Sequence, residues 1–124
     1  MNVNWLGEWR NQYGSILRID TAENGVVTGA FTTALEDSGF FGQTIPIHGV
    51  YDGPCIGVSG AGRSSAGSMA VSYTVLLRNG KLETMWFVVA DASISAPSEG
   101  ASAKRVKLPW WRSISTSADT FERL

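Results

Sequence analysis

The sequence predicts an all-β protein, built as an eight-stranded antiparallel up-and-down β-barrel or as a β-sandwich. Two observations favour this class. Fourteen glycines and many Ser and Thr residues are spread along the chain, and no long stretch shows the apolar period of 3.6 that marks a helix. Short apolar segments are instead separated by turn signals. A chain of 124 residues suits one packed domain, so residues 1–124 are expected to form a single unit.

Turn signals divide the chain into eight segments with the pattern of short strands. Asn-Gly tolerates the positive φ of a tight hairpin, so ENG at 23–25 and NGK at 79–81 each join two strands. The predicted strands, in chain order, cover residues 5–10, 15–20, 25–33, 45–51, 55–62, 68–78, 82–90 and 112–121. Short turns between antiparallel strands favour the barrel, whose interior has room for side chains and one small ligand.

The segment 91–110 differs from the rest of the chain. It is polar and rich in Ser and Ala, and it contains Pro97 and Pro109. A long loop is expected here, and loops of this length are often functional. Its basic run KRVK, at 104–107, is interpreted as a solvated part of that loop.

Composition argues against several classes of function. The net charge of −1 leaves no electrostatic footprint for nucleic acid or an anionic membrane, and no apolar run is long enough to span a bilayer. Cys55 and His48 are the only residues of their types, so no intrachain disulfide forms and no His-rich metal site is expected. No Ser/His/Asp or Cys/His spacing suggests an enzyme, and no signal peptide is visible.

Alternation along the two longest strands predicts which side chains line the interior. With Trp86 inward, the alternate apolar side chains of its strand face outward: Met85, Phe87 and Val89. On the strand 68–78, Ser68 and Ser72 are placed inward. This leaves five large side chains outside: Met69, Val71, Tyr73, Val75 and Leu77. The two strands would then share an apolar outer surface that packs against another subunit. The alternative is the opposite alternation, with a simply apolar interior.

Three blocks of the chain match known motifs. GEWRNQYGS, at 7–15, fits the pattern G-x-W-x-N-x-x-G-S. NGVVTGAFTTA, at 24–34, fits G-x-x-T-G-x-Y-x-[ST]-A, except that Phe31 stands at the Tyr position. WRSISTSADTF, at 111–121, fits W-[KR]-x-x-x-x-x-x-[ND]-x-F. Together these blocks resemble the avidin/streptavidin family of biotin-binding β-barrels, and the resemblance runs nearly end to end.

The resemblance implies a fold, a ligand and an assembly. The fold is an eight-stranded antiparallel barrel. The ligand is biotin, held in the open end of the barrel with no chemistry done to it and no further cofactor. The assembly is a tetramer or a dimer, for which the outer surface of strands 68–78 and 82–90 is the expected interface. A secreted or periplasmic location is the family expectation.

The resemblance also assigns the residues around the ureido ring of biotin. Asn11 and Ser15 stand at the positions that donate to the ureido carbonyl, and Thr33 and Asp119 at those that accept from its N–H groups. Short neutral donors suit a buried carbonyl because they bring no charge, and an ionised Asp is a strong acceptor. Phe31 removes the family's third donor, a Tyr hydroxyl. The expected loss is about 1–3 kcal/mol, or roughly tenfold to a hundredfold in affinity.

The apolar walls and the ligand tail are assigned in the same way. The resemblance implies that Trp86 and Trp111 form apolar walls of the pocket. Trp111 would contribute to the pocket of a neighbouring subunit, and Trp110 is the alternative residue for that contribution. The fifth-strand Trp of the family is absent, and Ala61 or Gly62 stands in its place. Ser64 and Ser68 match positions that contact the ligand tail and the sulfur, and Asp37 and Ser38 belong to the loop that in the family binds the carboxylate. Ser38 would donate to the ligand carboxylate, whereas Asp37 would repel it if it faces that group.

Two other functions remain open at this level. The acidic loop and the missing Trp would suit a biotin derivative without a carboxylate, or another cyclic urea. Small eight-stranded barrels also act as protein-interaction or inhibitor modules, and the segment 91–110 would then serve as the recognition loop.

Overall fold

The chain folds into a closed antiparallel β-barrel in a computed structural model that describes residues 3–33, 43–64, 67–95 and 104–124. Eight strands form the wall: β1 (Gly7–Asn11), β2 (Ile16–Glu23), β3 (Val26–Thr32), β4 (Thr44–Asp52), β5 (Cys55–Ser64), β6 (Gly67–Arg78), β7 (Lys81–Ala90) and β10 (Ile114–Arg123). The predicted eight-stranded antiparallel barrel is therefore confirmed, and its closure excludes the sandwich. Among the residues described, no helix has the length and apolar character needed to cross a bilayer.

The last strand of the chain closes the barrel against the first. β10 lies between β1 and β7, and Trp9 pairs with Arg123 across the β1–β10 seam. Asn11, the last residue of β1, pairs with Phe121. Asp119 therefore lies two residues past the end of β1, level with the turn that leads into β2. This register brings the first and last sequence blocks to one end of the barrel.

Both predicted Asn-Gly turns form as expected. Asn24 and Gly25 have φ angles of 53° and 78°, and Asn79 and Gly80 have 54° and 75°. Positive φ at both central residues is the geometry of a tight hairpin between twisted strands, and few residues other than Asn and Gly adopt it at low cost. These turns hold β2 against β3 and β6 against β7.

A small hairpin outside the barrel corrects the prediction for 91–110. Residues Ala92–Ser95 (β8) pair with Lys104–Lys107 (β9) as a two-stranded antiparallel sheet, and Ser93 faces Val106 in the ladder. The prediction of a loop across these positions is wrong, as is the interpretation of KRVK as loop. Both strands have only four residues, so their alternating pattern was obscured by the Ser, Ala and Pro around them. A short 3-10 helix, Trp110–Arg112, then leads into β10.

The interior of the barrel is apolar, and this reverses the predicted alternation of β6. Val71, Tyr73 and Val75 are buried, whereas Ser68 and Ser72 are exposed. The inward placement of the two serines is therefore wrong, because a closed barrel of this size must fill its interior with side chains. The alternation predicted for β7 is correct, since Leu82 and Thr84 are buried while Met85, Phe87 and Val89 are exposed. The apolar outer surface thus belongs to β7 rather than to β6 and β7 together.

One end of the barrel is plugged by aromatic side chains. Trp5 and Trp9 are both buried, each with 1% of its surface exposed. Trp9 Nε1 donates a hydrogen bond to the Trp5 carbonyl oxygen at 3.1 Å. The guanidinium of Arg123 lies 4.0 Å from the centre of the Trp9 ring and donates to the Leu6 carbonyl oxygen at 2.7 Å. These contacts tie the C-terminal strand over the plug, so a ligand would enter from the opposite end.

Candidate functional site

Asn11 is held in one orientation by the backbone of the turn that follows it. Its Oδ1 accepts hydrogen bonds from the backbone N–H groups of Tyr13, at 3.0 Å, and Ser15, at 2.9 Å. An Asn that accepts from the backbone two residues later forms an Asx turn, which explains why this residue type stands here. Because Oδ1 faces the backbone, the Nδ2 group must face the barrel interior. There it donates to Asp119 Oδ2 at 3.2 Å.

Asp119 is a buried carboxylate with three donors around it. Asp119 is buried, with only 8% of its surface exposed. Trp86 Nε1 donates to Oδ2 at 2.9 Å, Asn11 Nδ2 donates to the same oxygen, and Gln12 Nε2 donates to Oδ1 at 3.3 Å. A buried charge is tolerated only when hydrogen bonds replace its lost hydration, and these donors do so. The carboxylate keeps acceptor capacity beyond them, because two ionised oxygens offer about four lone-pair positions.

Ser15 and Thr33 lie side by side, and Ser15 is joined through its backbone N–H to Asn11, which bonds to Asp119. Ser15 Oγ donates to Thr33 Oγ1 at 3.5 Å, and both residues are buried. Ser15 precedes β2 and Thr33 follows β3, and the pairing of Ile16 with Thr32 places them at the same end of the barrel. Two hydroxyls at this distance make a long hydrogen bond.

The floor of the site is aromatic. Phe31 and Tyr73 are buried, and their ring centres are 5.3 Å apart with an interplanar angle of 53°. Tyr73 also meets Phe121 edge to face, with ring centres 6.4 Å apart. Phe31 comes from β3 and Tyr73 from β6, so the two rings meet across the barrel. Below the polar cluster the interior is therefore closed by packed rings.

The structure brings together five of the predicted ligand residues and Phe31, and it separates others. Asn11, Ser15, Thr33, Trp86 and Asp119 line one end of the barrel, connected as described above. Trp111 is 66% exposed and Trp110 is 81% exposed, so neither is packed in its own chain's site. Ser68 is exposed on the outside of β6, and its backbone N–H donates to Asp91 Oδ1. Asp37, Ser38 and the side chain of Ser64 lie outside the described residues.

Sequence reasoning missed three residues of the site. Gln12 holds Asp119 and, through its Oε1, accepts from the Thr120 backbone N–H at 3.2 Å. Thr84 is buried beside Asp119, with which it pairs across β7 and β10. Tyr73 was placed outside the barrel by the reversed alternation of β6. Its signal was present, since Val71, Tyr73 and Val75 form an apolar alternation as strong as that of any other strand.

The chemistry of this arrangement is that of binding. The cluster holds neutral donors, hydroxyls and one fixed carboxylate, which match a neutral ligand that has a carbonyl next to N–H groups. Within the described part of the chain, no group of three or more His, Cys, Asp or Glu side chains is placed to hold a metal ion. A closed antiparallel barrel with such a polar cluster toward its open end belongs to the class of small-ligand-binding β-barrels.

Within that class, comparison with known proteins assigns the family. The sequence profile of the Avidin family matches residues 1–124, so the chain belongs to the avidin family, and the predicted resemblance is confirmed. No curated protein sequence matches the chain.

Solved structures of avidin-like proteins share the fold. Apo shwanavidin superposes with a TM-score of 0.72 at 22% identity, covering 100% of this chain and 98% of that one. The bradavidin2–biotin complex gives 0.70 at 16% identity, covering 98% and 99%. The rhizavidin–biotin complex gives 0.69 at 19% identity, covering 98% and 97%. At these identities the likeness is one of fold.

Proposed function

We propose that this protein binds biotin in the open end of the barrel without chemical change. The observation that carries the proposal is the Asn11–Asp119 pair, a buried amide donor directly beside a buried carboxylate acceptor. A ureido ring presents a carbonyl oxygen flanked by N–H groups, so it needs donors and acceptors side by side. Family membership and the biotin complexes of structural neighbours support the same ligand.

Each polar residue then has one role toward the ureido ring. Asn11 uses one Nδ2 hydrogen on Asp119 and has a second for the ligand carbonyl, to which Ser15 Oγ also donates. Thr33 Oγ1 and an Asp119 oxygen accept from the two ligand N–H groups. Charge-assisted hydrogen bonds are the strong ones, so Asp119 contributes most of this recognition.

Trp86 walls the ligand while holding Asp119, and a second wall is proposed from a neighbouring copy. Trp111 is mostly exposed, with the Arg112 guanidinium 5.9 Å from its ring centre, so its ring is available to another subunit. The outer face of β7 carries Met85, Phe87 and Val89 at 55%, 48% and 43% exposure. Exposed apolar patches of this kind mark protein interfaces, which supports a homo-oligomer.

We expect weaker binding than in the tightest members of the family. Where those have a Trp on the fifth strand, this chain has small residues, and Gly62 follows the inward alternation of buried Ile56 and Val58. A glycine leaves that side of the ligand without an aromatic contact, and aromatic side chains dominate contact energetics.

Isothermal titration calorimetry with biotin, together with thermal unfolding, tests the function. Biotin should release heat and raise the melting temperature. Pentanoate, which has the tail but no ureido ring, should do neither at the same concentration. Absence of heat and of any thermal shift at millimolar biotin would overturn the proposal.

A further inference from the structure

Tyr73 is a buried residue whose hydroxyl the proposed function has not used. Tyr73 has 5% exposure and lies on the inward face of β6, opposite Trp86 in the β6–β7 ladder. Its ring contacts are with Phe31 and Phe121. Among the described residues, none forms a hydrogen bond with its hydroxyl. In the described part of the chain, the fully buried side-chain atom without a hydrogen-bond partner is Trp5 Nε1, so the Tyr73 hydroxyl is not sealed in the core and stays accessible to a ligand.

The ring that carries this hydroxyl packs against Phe31, the residue that stands at the family's Tyr position. The rings of Phe31 and Tyr73 are in contact across the barrel, with centres 5.3 Å apart. Phe31 itself lies two residues before Thr33 and opposite Leu17 in the β2–β3 ladder, at the end of the barrel that holds Ser15. The ring of Tyr73 on β6 therefore packs beside the position on β3 at which the family carries its Tyr.

We propose that the Tyr73 hydroxyl donates a hydrogen bond to the carbonyl oxygen of the bound ureido ligand, from β6, as the third donor that Phe31 on β3 cannot supply. The inference rests on the proposed function and adds a specificity-determining residue to it. Asn11, Ser15 and Tyr73 would then surround the carbonyl, and Asp119 and Thr33 would hold the two N–H groups.

The protonation state of Tyr73 suits this role. Burial raises the pKa of its hydroxyl above the ordinary value of 10.0, and the nearby charge of Asp119 adds to the shift. The group therefore keeps its proton throughout the neutral range and remains a donor. Asp119 is a competing acceptor for this proton, but it already accepts from Trp86, Asn11 and Gln12.

Moving the hydroxyl between the two rings tests the proposal. The set consists of the unaltered protein, Tyr73→Phe, Phe31→Tyr and the double variant, each titrated with biotin. Tyr73→Phe should weaken biotin binding by about tenfold to a hundredfold, the effect of one lost donor. Phe31→Tyr should restore most of that loss in the Tyr73→Phe background, and it should gain less than about threefold alone. Tyr51→Phe, which removes a hydroxyl from a ring packed near Trp5, is the matched control and should bind like the unaltered protein.

A thio analogue of biotin, with sulfur in place of the ureido carbonyl oxygen, separates direct contact from a positioning role. Because sulfur accepts hydrogen bonds weakly, Tyr73→Phe should change binding of this analogue by less than about threefold. An equal loss for biotin and the analogue would mean that Tyr73 acts through Asp119, and it would overturn the proposal. So would biotin binding by Tyr73→Phe within about twofold of the unaltered protein. If the unaltered protein does not bind biotin, the proposed function fails first, and the inference fails with it.

Discussion

Trp86 and Asp119 form one unit, in which the indole Nε1 donates to the carboxylate Oδ2 at 2.9 Å. The proposed apolar wall and the proposed acceptor of the ligand N–H group are therefore joined by a hydrogen bond between neighbouring strands β7 and β10. The same oxygen accepts from Asn11 on β1, so three strands converge on one atom. A ligand that displaced any of these groups would lose their mutual support, which favours a preformed pocket over one assembled on binding.

Replacement of Asp119 by Asn should weaken biotin binding by about tenfold to a hundredfold. The variant keeps the shape but loses the charge, and its amide must present an N–H group toward donors from Trp86, Asn11 or Gln12. Titration calorimetry measures the change. Asp20→Asn is the matched control, because Asp20 lies in an exposed ion pair with Arg18, and it should bind biotin normally. Unchanged binding by Asp119→Asn would contradict the assignment of the N–H acceptor.

A charge on the outer face of β7 should break the proposed oligomer. Phe87→Glu places a carboxylate in the exposed apolar patch, where burial in an interface would leave it unpaired. Sedimentation velocity should show a multimer for the unaltered protein and a smaller species for the variant. Biotin binding should weaken in parallel, because Trp111 would no longer reach a neighbouring pocket.

Val26→Glu is the control for this experiment. Val26 is 51% exposed on β3, which lies four strands from β7 in either direction around the barrel. This variant should change neither mass nor affinity. A monomeric unaltered protein, or a multimer that survives Phe87→Glu, would argue against this interface.

The raised pKa of Tyr73 should make the protein lose stability in alkali. Below pH 10 the hydroxyl is protonated in both states and contributes no pH dependence. Between the ordinary pKa of 10.0 and the raised value in the folded protein, the unfolded chain releases this proton and the folded chain keeps it. The free energy of unfolding should therefore fall as pH rises, by up to about 1.4 kcal/mol per pH unit from this group. Urea unfolding at pH 9 to 12 should give a steeper decline for the unaltered protein than for Tyr73→Phe, and equal slopes would contradict the shift.

Gly49 should tolerate no side chain, whereas nearby Gly57 should accept one. A Cβ at Gly49 would overlap the carbonyl oxygen of Gly57 and lie 2.7 Å from Val58 Cγ1. At Gly57 the nearest atom would be the Tyr73 carbonyl oxygen, at 3.9 Å. Gly49→Ala should therefore cost about 1–3 kcal/mol of unfolding free energy, and Gly57→Ala less than about 0.5 kcal/mol. Chemical denaturation measures both, and similar costs for the two variants would contradict the packing of β4 on β5.

The residues of the candidate site were assigned through family motifs, and local geometry explains the placement of two of them. Asn11 and Ser15 lie four positions apart on a turn whose backbone bonds to the Asn side chain, so that spacing alone brings both inward. Asp119 was assigned because the last block matches the family motif. The role of Gln12 could not be read in this way, because its partner lies 107 positions away along the chain. Tyr73 was misplaced because alternation shows that successive residues of β6 face opposite sides, but not which side is the interior.

The resemblance to the avidin family assigned the polar groups of the candidate site, whereas the amino-acid sequence by itself determined the class of fold, the number of barrel strands and the Asn-Gly hairpins. These follow from local properties: turn chemistry, β-branched alternation and the spacing of short motifs. Only the tertiary structure decided which side chains of β6 point into the barrel, the pairing of β8 with β9, the exposure of Trp111 and the contact between Phe31 and Tyr73. Each of these depends on closure of the barrel, because closing the sheet fixes which face is filled and which side chains meet across it.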